Sequence, residues 1–180
     1  MIRSFEEHIP QLGKDVFVAD SALVLGDVVL GDQSSIWYGA VVRGDVHFIR
    51  IGPRTNIQDH SVVHVSTGTN PTHVGQDVTI GHGAMIHGCR IGDRTLIGIG
   101  AIVLDGVEVG QGSVVGAGSL LPPGKRYPER SLIVGAPAVV KRAVTDEELR
   151  WIEHSALQYV ELGNKHRALA VNTVERSGSR

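Results

Sequence analysis

The chain is poor in several features that would narrow its function at once. It carries a single cysteine, Cys89, in 180 residues, which excludes an intramolecular disulfide and fits a reducing cytosol. Aromatic residues amount to only 4%, so a core must be built from aliphatic side chains. Neither sign of charge dominates. The formal net charge of −2 and pI near 6.5 offer no footing for nucleic acid or an anionic membrane. No apolar run is long enough to span a bilayer. The opening MIRSFEEHIPQLGKD lacks the apolar stretch of a secretory leader, so the expected location is cytoplasmic. The length fits one domain with a real core.

What is abundant is glycine, 23 residues, and it is periodic. Aliphatic or aromatic residues recur every six positions at Val18, Val24, Leu30, Ile36, Val42 and Phe48. The count restarts at Ile51, Ile57 and Val63, at Val74, Ile80 and Ile86, and at Ile91, Ile97, Val103, Val109, Val115 and Leu121. Glycine often follows directly, as in Ile51-Gly52, Ile80-Gly81 and Ile97-Gly98. An even period with β-branched residues suits strands better than helix. Each hexapeptide then makes a short strand and a corner, and three make a triangular coil with its aliphatic side chains inward. A sandwich is the competing reading, but its turn signals every eight to twelve residues are missing.

The pattern resembles the hexapeptide-repeat family, which implies an all-β solenoid, a left-handed parallel β-helix. We expect it over residues 10–122. The segment 123–144, punctuated by proline and glycine, reads as an extended connector. Residues 145–170 read as a C-terminal helix packing on the solenoid, with Thr145 and Glu148 as a capping box. Its apolar stripe is Leu149, Ile152, Ala156, Tyr159, Val160 and Leu162. Residues 171–180 read as a frayed tail.

The register gives meaning to 79-TIGHGAMIHGC-89. Counting faces stacks Ile86 on Val63 in successive coils, provided residues 64–73 bulge as a loop. His64 and His87, one residue later, then point outward from the same face, the start of a metal site. His82 follows Ile80 by two residues, near a different corner, where Asp59 should stack on it. It can join the pair only from a neighbouring copy, so the spacing predicts a trimer with intersubunit sites. Arg43 and Asp45 are suited to ion pairing with Asp59 across subunits, holding the ligands in place.

Each feature has a plainer reading. Paired histidines on a β-surface are more often solvated than metal-bound. His8, His47, His60, His73, His154 and His166 show no such spacing and read as surface or packing residues. Arg43 and Asp45 alone could be a surface ion pair of small value. Cys89 reads as a small hydrophobe rather than a nucleophile, and Tyr159 as helix packing.

With 43-RGD-45, 56-NIQDHSVVH-64 and 80-IGHGAMIHGC-89 in this order, the chain resembles the γ-class carbonic anhydrases over about residues 10–165. The resemblance implies a homotrimer with a metal at each interface, usually zinc, with iron or cobalt as alternatives. His64 and His87 match ligands from one chain and His82 the ligand from the next. Arg43, Asp45 and Asp59 match interface ion-pair residues. Gln58 matches the residue that contacts metal-bound water, Asn56 one near the substrate pocket, and Tyr159 a helix tyrosine near the site. The implied reaction is hydration of CO₂ to bicarbonate by metal-bound hydroxide.

The chain departs from that pattern in two places. Val46 stands where the archaeal form carries an acidic residue. The segment 65-VSTGTNPTH-73 holds no carboxylate to shuttle protons, so low activity or another shuttle such as His73 is expected. Two alternatives stay open. One is a metal-dependent hydrolase resembling thioesterases; the other is a hexapeptide acyltransferase with one histidine as base.

Overall fold

Short strands at a six-residue spacing cannot bury themselves singly, and they gain a core by stacking. The computed structural model describes residues 1–170, and there the chain winds into a left-handed parallel β-helix with one C-terminal helix. Three columns of strands form the sides. Column A carries the first part of Leu23–Leu30, the first part of Val41–Ile51, then Val62–His64, Met85–His87, Ile102–Val103 and Leu120–Leu121. Column B continues those two long strands into Thr72–Val74, Arg90–Ile91, Glu108–Val109 and Arg126–Tyr127. Column C stacks Phe17–Val18, Ser35–Ile36, Asn56–Ile57, Thr79–Ile80, Leu96–Ile97, Val114–Val115 and Ser131–Gly135.

The expected inward residues are the core. Val42, Val63, Ile86 and Val103 in column A, and Ile57, Ile80 and Ile97 in column C, are fully buried. Val18 is only partly buried, with Phe17 and Ala19 inside instead, and Phe48 is a second exception. The long strand crosses a corner there, Ile49 takes the inward position, and Phe48 lies on the surface against His73 and the Arg50 guanidinium. Corner glycines are required where coils touch. A Cβ on Gly52 would lie 2.6 Å from the Gln76 nitrogen of the next coil.

The solenoid is longer at both ends than 10–122. Ile2–Arg3 and Gln11–Leu12 already pair in parallel with Leu23–Leu30. The segment 123–144 is more than a connector. Tyr127 and Ile133 continue the count of six from Leu121 and are buried as further rungs. Ala138–Ala143 then returns antiparallel on Ser131–Gly135 and covers the open end of column C.

The helix α1 (Asp146–Ala170) starts at the expected box. The Glu148 amide donates to Thr145 Oγ1 at 3.2 Å, and the Thr145 amide donates to the Glu148 carboxylate at 2.9 Å. It packs on column C through Ile152, Ser155, Ala156 and Gly163. Leu162, expected in the stripe, is exposed instead, and Gly163 lies inward because it lets the helix approach Phe17 and Ser35 closely. The expected tail, 171–180, lies outside the described residues.

Hydrogen bonds from Arg142 and from the Thr145 amide hold the Glu148 carboxyl down, from 4.5 to about 2. A depressed carboxyl contributes stability above its unfolded value and loses it as pH falls toward the folded one. The melting temperature of wild type should therefore exceed that of Glu148→Gln at pH 6, and the gap should close between pH 4.5 and about 2. A gap independent of pH in thermal melts would contradict this role.

Candidate metal centre

The site begins with the register. Val63 pairs with Ile86, and the next position places His64 beside His87 in adjacent strands of column A. The rings lie 5.0 Å apart between centroids, with His64 Nδ1 3.0 Å from His87 Nε2. The far side of each ring meets a carboxylate. His64 Nε2 is 3.0 Å from Asp45 Oδ1, and His87 Nδ1 is 2.6 Å from Asp105 Oδ1. Asp45 also pairs with Arg43, and Asp105 accepts from Ser66 Oγ at 2.6 Å.

These partners select the tautomers. A carboxylate can only accept, so each outer ring nitrogen carries the proton and each facing nitrogen is left with a lone pair. Two lone pairs aimed at each other across 3.0 Å repel unless a cation or shared proton lies between them. Burial lowers the His64 pKa, outweighing the hydrogen bond to Asp45 that would raise it. The ring is thus neutral at pH 7, the form that ligates metal. Burial pushes both carboxyls up, but the bonds from His64 and Arg43 to Asp45, and from Ser66 and His87 to Asp105, hold them below their ordinary value.

His82 is elsewhere, as the face count predicted. Ile57 pairs with Ile80, and two residues on, His82 Nδ1 lies 2.9 Å from Asp59 Oδ2 at the corner after column C. His82 is half exposed. Among the described residues no three His, Cys, Asp or Glu side chains converge on a metal position within one chain. Asp59 is held by His82, while Arg43 and Asp45 pair with each other on column A.

Asn56 and Gln58 sit buried beside that corner. Gln58 Nε2 donates to Asn56 Oδ1 at 3.1 Å, and Asn56 Nδ2 donates to Thr79 Oγ1 at 3.0 Å. This direction leaves the Gln58 carbonyl oxygen free to accept from water. Tyr159 packs edge-on against Trp37, 5.3 Å between centroids, and lines one cavity with Gln58 and His82. Burial and the Asp59 charge raise its pKa, so its hydroxyl stays protonated.

One expectation shifts. His73 stands in column B between Arg50 and Arg90, on a different side from the His64–His87 pair, so it is not a shuttle beside the site. Asp105 and Ser66 escaped sequence reasoning. Asp105 lies 18 residues after His87, one more than the 17 that separate Ile86 from its partner Val103, so the repeat count does not point to it. Cys89 is buried, which pushes its thiol up to about 12 and leaves it inert.

Carboxylates that orient ligand imidazoles typically contribute 10–100-fold in metal affinity, so a metal held by His64 and His87 should bind more weakly by roughly that factor in Asp45→Asn and in Asp105→Asn. Competition against a chromophoric chelator measures it, and unchanged affinity in both would remove their orienting role.

Comparison with known proteins identifies the family. Residues 88–123 match the family described as bacterial transferase hexapeptide (six repeats). The chain is 47% identical to gamma carbonic anhydrase 1, mitochondrial, of Arabidopsis thaliana over 88% of its own length and 60% of the relative's. It thus spans about three fifths of that plant protein. It is 43% identical to the carbonic anhydrase of Geobacillus kaustophilus, covering 94% of this chain and 92% of the relative. A Bacillus cereus crystal structure, described as a candidate acetyltransferase, superposes with TM-score 0.91 at 42% identity, covering 94% of this chain and 98% of the other. On repeat, register and relatives alike, the chain belongs to the γ-carbonic anhydrase family of hexapeptide-repeat proteins.

Proposed function

We propose that the protein hydrates CO₂ to bicarbonate as a homotrimer, with a metal held at each interface by His64 and His87 of one chain and His82 of the next. The observation that carries this reading is the pair of opposed lone pairs, His64 Nδ1 and His87 Nε2, fixed by a carboxylate behind each ring. Neutral imidazoles so disposed fit a divalent cation, and three of them with one open position suit zinc best, iron or cobalt less well. When bound, such a metal supplies a Lewis acid that makes water nucleophilic near neutral pH.

The chain's own residues do the rest. Asp45 and Asp105 keep the proton on the outer nitrogens and so keep the inner ones available. Gln58, turned by Asn56, offers its carbonyl oxygen to hold the attacking water. Tyr159 borders the same cavity and keeps a protonated hydroxyl. Hydration releases a proton, and the loop 65–73 has no carboxylate to carry it off, which favours slow turnover.

Support for the trimer comes from an apolar ladder on the outside of column A. Val41, Val62, Met85, Ile102 and Leu120 stand in register, with Met85 41% and Ile102 38% exposed beside the histidines. An aliphatic sheet face of this kind is what a second copy covers. The acyltransferase reading needs neither metal nor His64.

His64→Ala and His82→Ala should each lose zinc by more than the roughly 10–100-fold that outer partners cost, and stopped-flow CO₂ hydration should fall to background. If neither substitution lowers bound zinc, the metal reading fails and the transferase reading gains.

A further inference from the structure

In the proposed trimer the outer face of column A carries His64 and His87, and the corner between columns C and A carries His82. A triangular coil sets that corner opposite column B, and α1 covers column C. Column B is thus the side that this arrangement leaves open. Along it, pairing puts the outward residues Arg50, His73 and Arg90 in register on three successive coils. Like charges stacked this way repel. Phe48 steadies two of the three, its ring lying 5.2 Å from the His73 ring and 4.6 Å from the Arg50 guanidinium carbon. Arg50 Nη1 holds Asp27 at 2.7 Å, and farther along the row Arg126 pairs with Glu108. Arg90, between them, is exposed and pairs with no carboxylate among the described residues. Burial, with Arg90, Arg50 and His47 nearby, holds the His73 pKa down, so its ring is neutral at pH 7 and offers one N–H. Beside the row, Gly52, Gly75 and Gly92 line a groove of about 320 Å³. Their amides already donate to the Val74, Ile91 and Val109 carbonyls, so a ligand there is held by side chains.

We propose that Arg50, His73 and Arg90 bind a phosphate group, as free phosphate or as a small phosphate monoester. With coils roughly 4.8 Å apart, the two arginines start about 10 Å from each other, and their long arms can close on one anion seated over His73. Each guanidinium presents paired donors to an oxyanion, and two of them favour a dianion over bicarbonate, which carries one charge. The groove leaves room for a small organic group beside the phosphate. Glu108 beyond Arg90, and Asp93 on the groove wall, bound the cationic stretch. That selects a compact anion over a polyanion such as nucleic acid. The site needs no metal; only its openness rests on the proposed trimer.

The test titrates the zinc-loaded protein with inorganic phosphate and with glycerol 3-phosphate at low ionic strength, followed by calorimetry and by the NMR signals of the His73 ring. Both should bind saturably and move those signals; tighter glycerol 3-phosphate would identify a monoester as the ligand, and equal affinity free phosphate. Arg90→Ala should weaken binding roughly tenfold, as a lost charge-assisted hydrogen bond does, with bound zinc unchanged. Arg90→Lys, which keeps the charge without the paired donors, should recover part of that loss. No saturable binding, or affinity unaltered in Arg90→Ala, overturns the inference. His64→Ala separates the two readings, because it should lose zinc and keep phosphate. Phosphate lost in His64→Ala but kept in Arg90→Ala would put the anion at the histidine pair and overturn the inference as well. Zinc bound normally without phosphate on column B removes only this site.

Discussion

The register of parallel coils is the constraint on which the site depends. Backbone pairing fixes Val63 opposite Ile86, and with it which side chains meet on the outer face. A slip of one residue would turn His64 or His87 into the core and bring a valine or isoleucine out. The slip is opposed from within by the fully buried column of Val42, Val63, Ile86 and Val103. It is opposed from outside by the loop after His64, which is tied back by Thr72 Oγ1 to the His64 carbonyl at 2.7 Å and by Ser66 to Asp105. The loop that lengthens this coil thus also secures the histidine it follows.

On that frame the electrostatics run in one direction. Arg43 charges the first end of a chain that passes through Asp45, His64, His87 and Asp105 to Ser66. Every bond except the central one joins a donor to an acceptor. The central gap, between two imidazole nitrogens, is where the proposed metal would relieve the repulsion. The strain is local and surrounded by satisfied groups, as expected for a site prepared to receive a charge.

The six-residue count made most of the fold legible, because inward position and sequence position are locked together in a solenoid. It placed His64 over His87 and Asp59 beside His82, and it separated His82 from the pair. It failed where the chain changes its path without changing its composition. Val41–Ile51 runs straight through a corner, so Ile49 replaced Phe48 inside. Prolines at 122, 123 and 128 masked two rungs anchored by Tyr127 and Ile133. Asp105 was hidden for another reason. It sits two residues past its inward valine rather than one, and only the reach of its side chain brings it to His87. In α1, a glycine at the buried position reversed the expectation for Leu162, since closeness to Phe17 and Ser35 outweighed hydrophobicity.

Sharing of one site between two chains is tested most directly by mixing subunits. In the proposed trimer, assemblies of only His64→Ala or only His82→Ala chains would lack an intact site, but a mixed trimer would pair an unaltered His64–His87 chain with an unaltered His82 chain once. Co-expressed and separated by differing tags, mixed trimers should regain about one zinc and one active site in three, by the closure of a cyclic interface. Mixed trimers with no more zinc than the parents would contradict a site divided between neighbours.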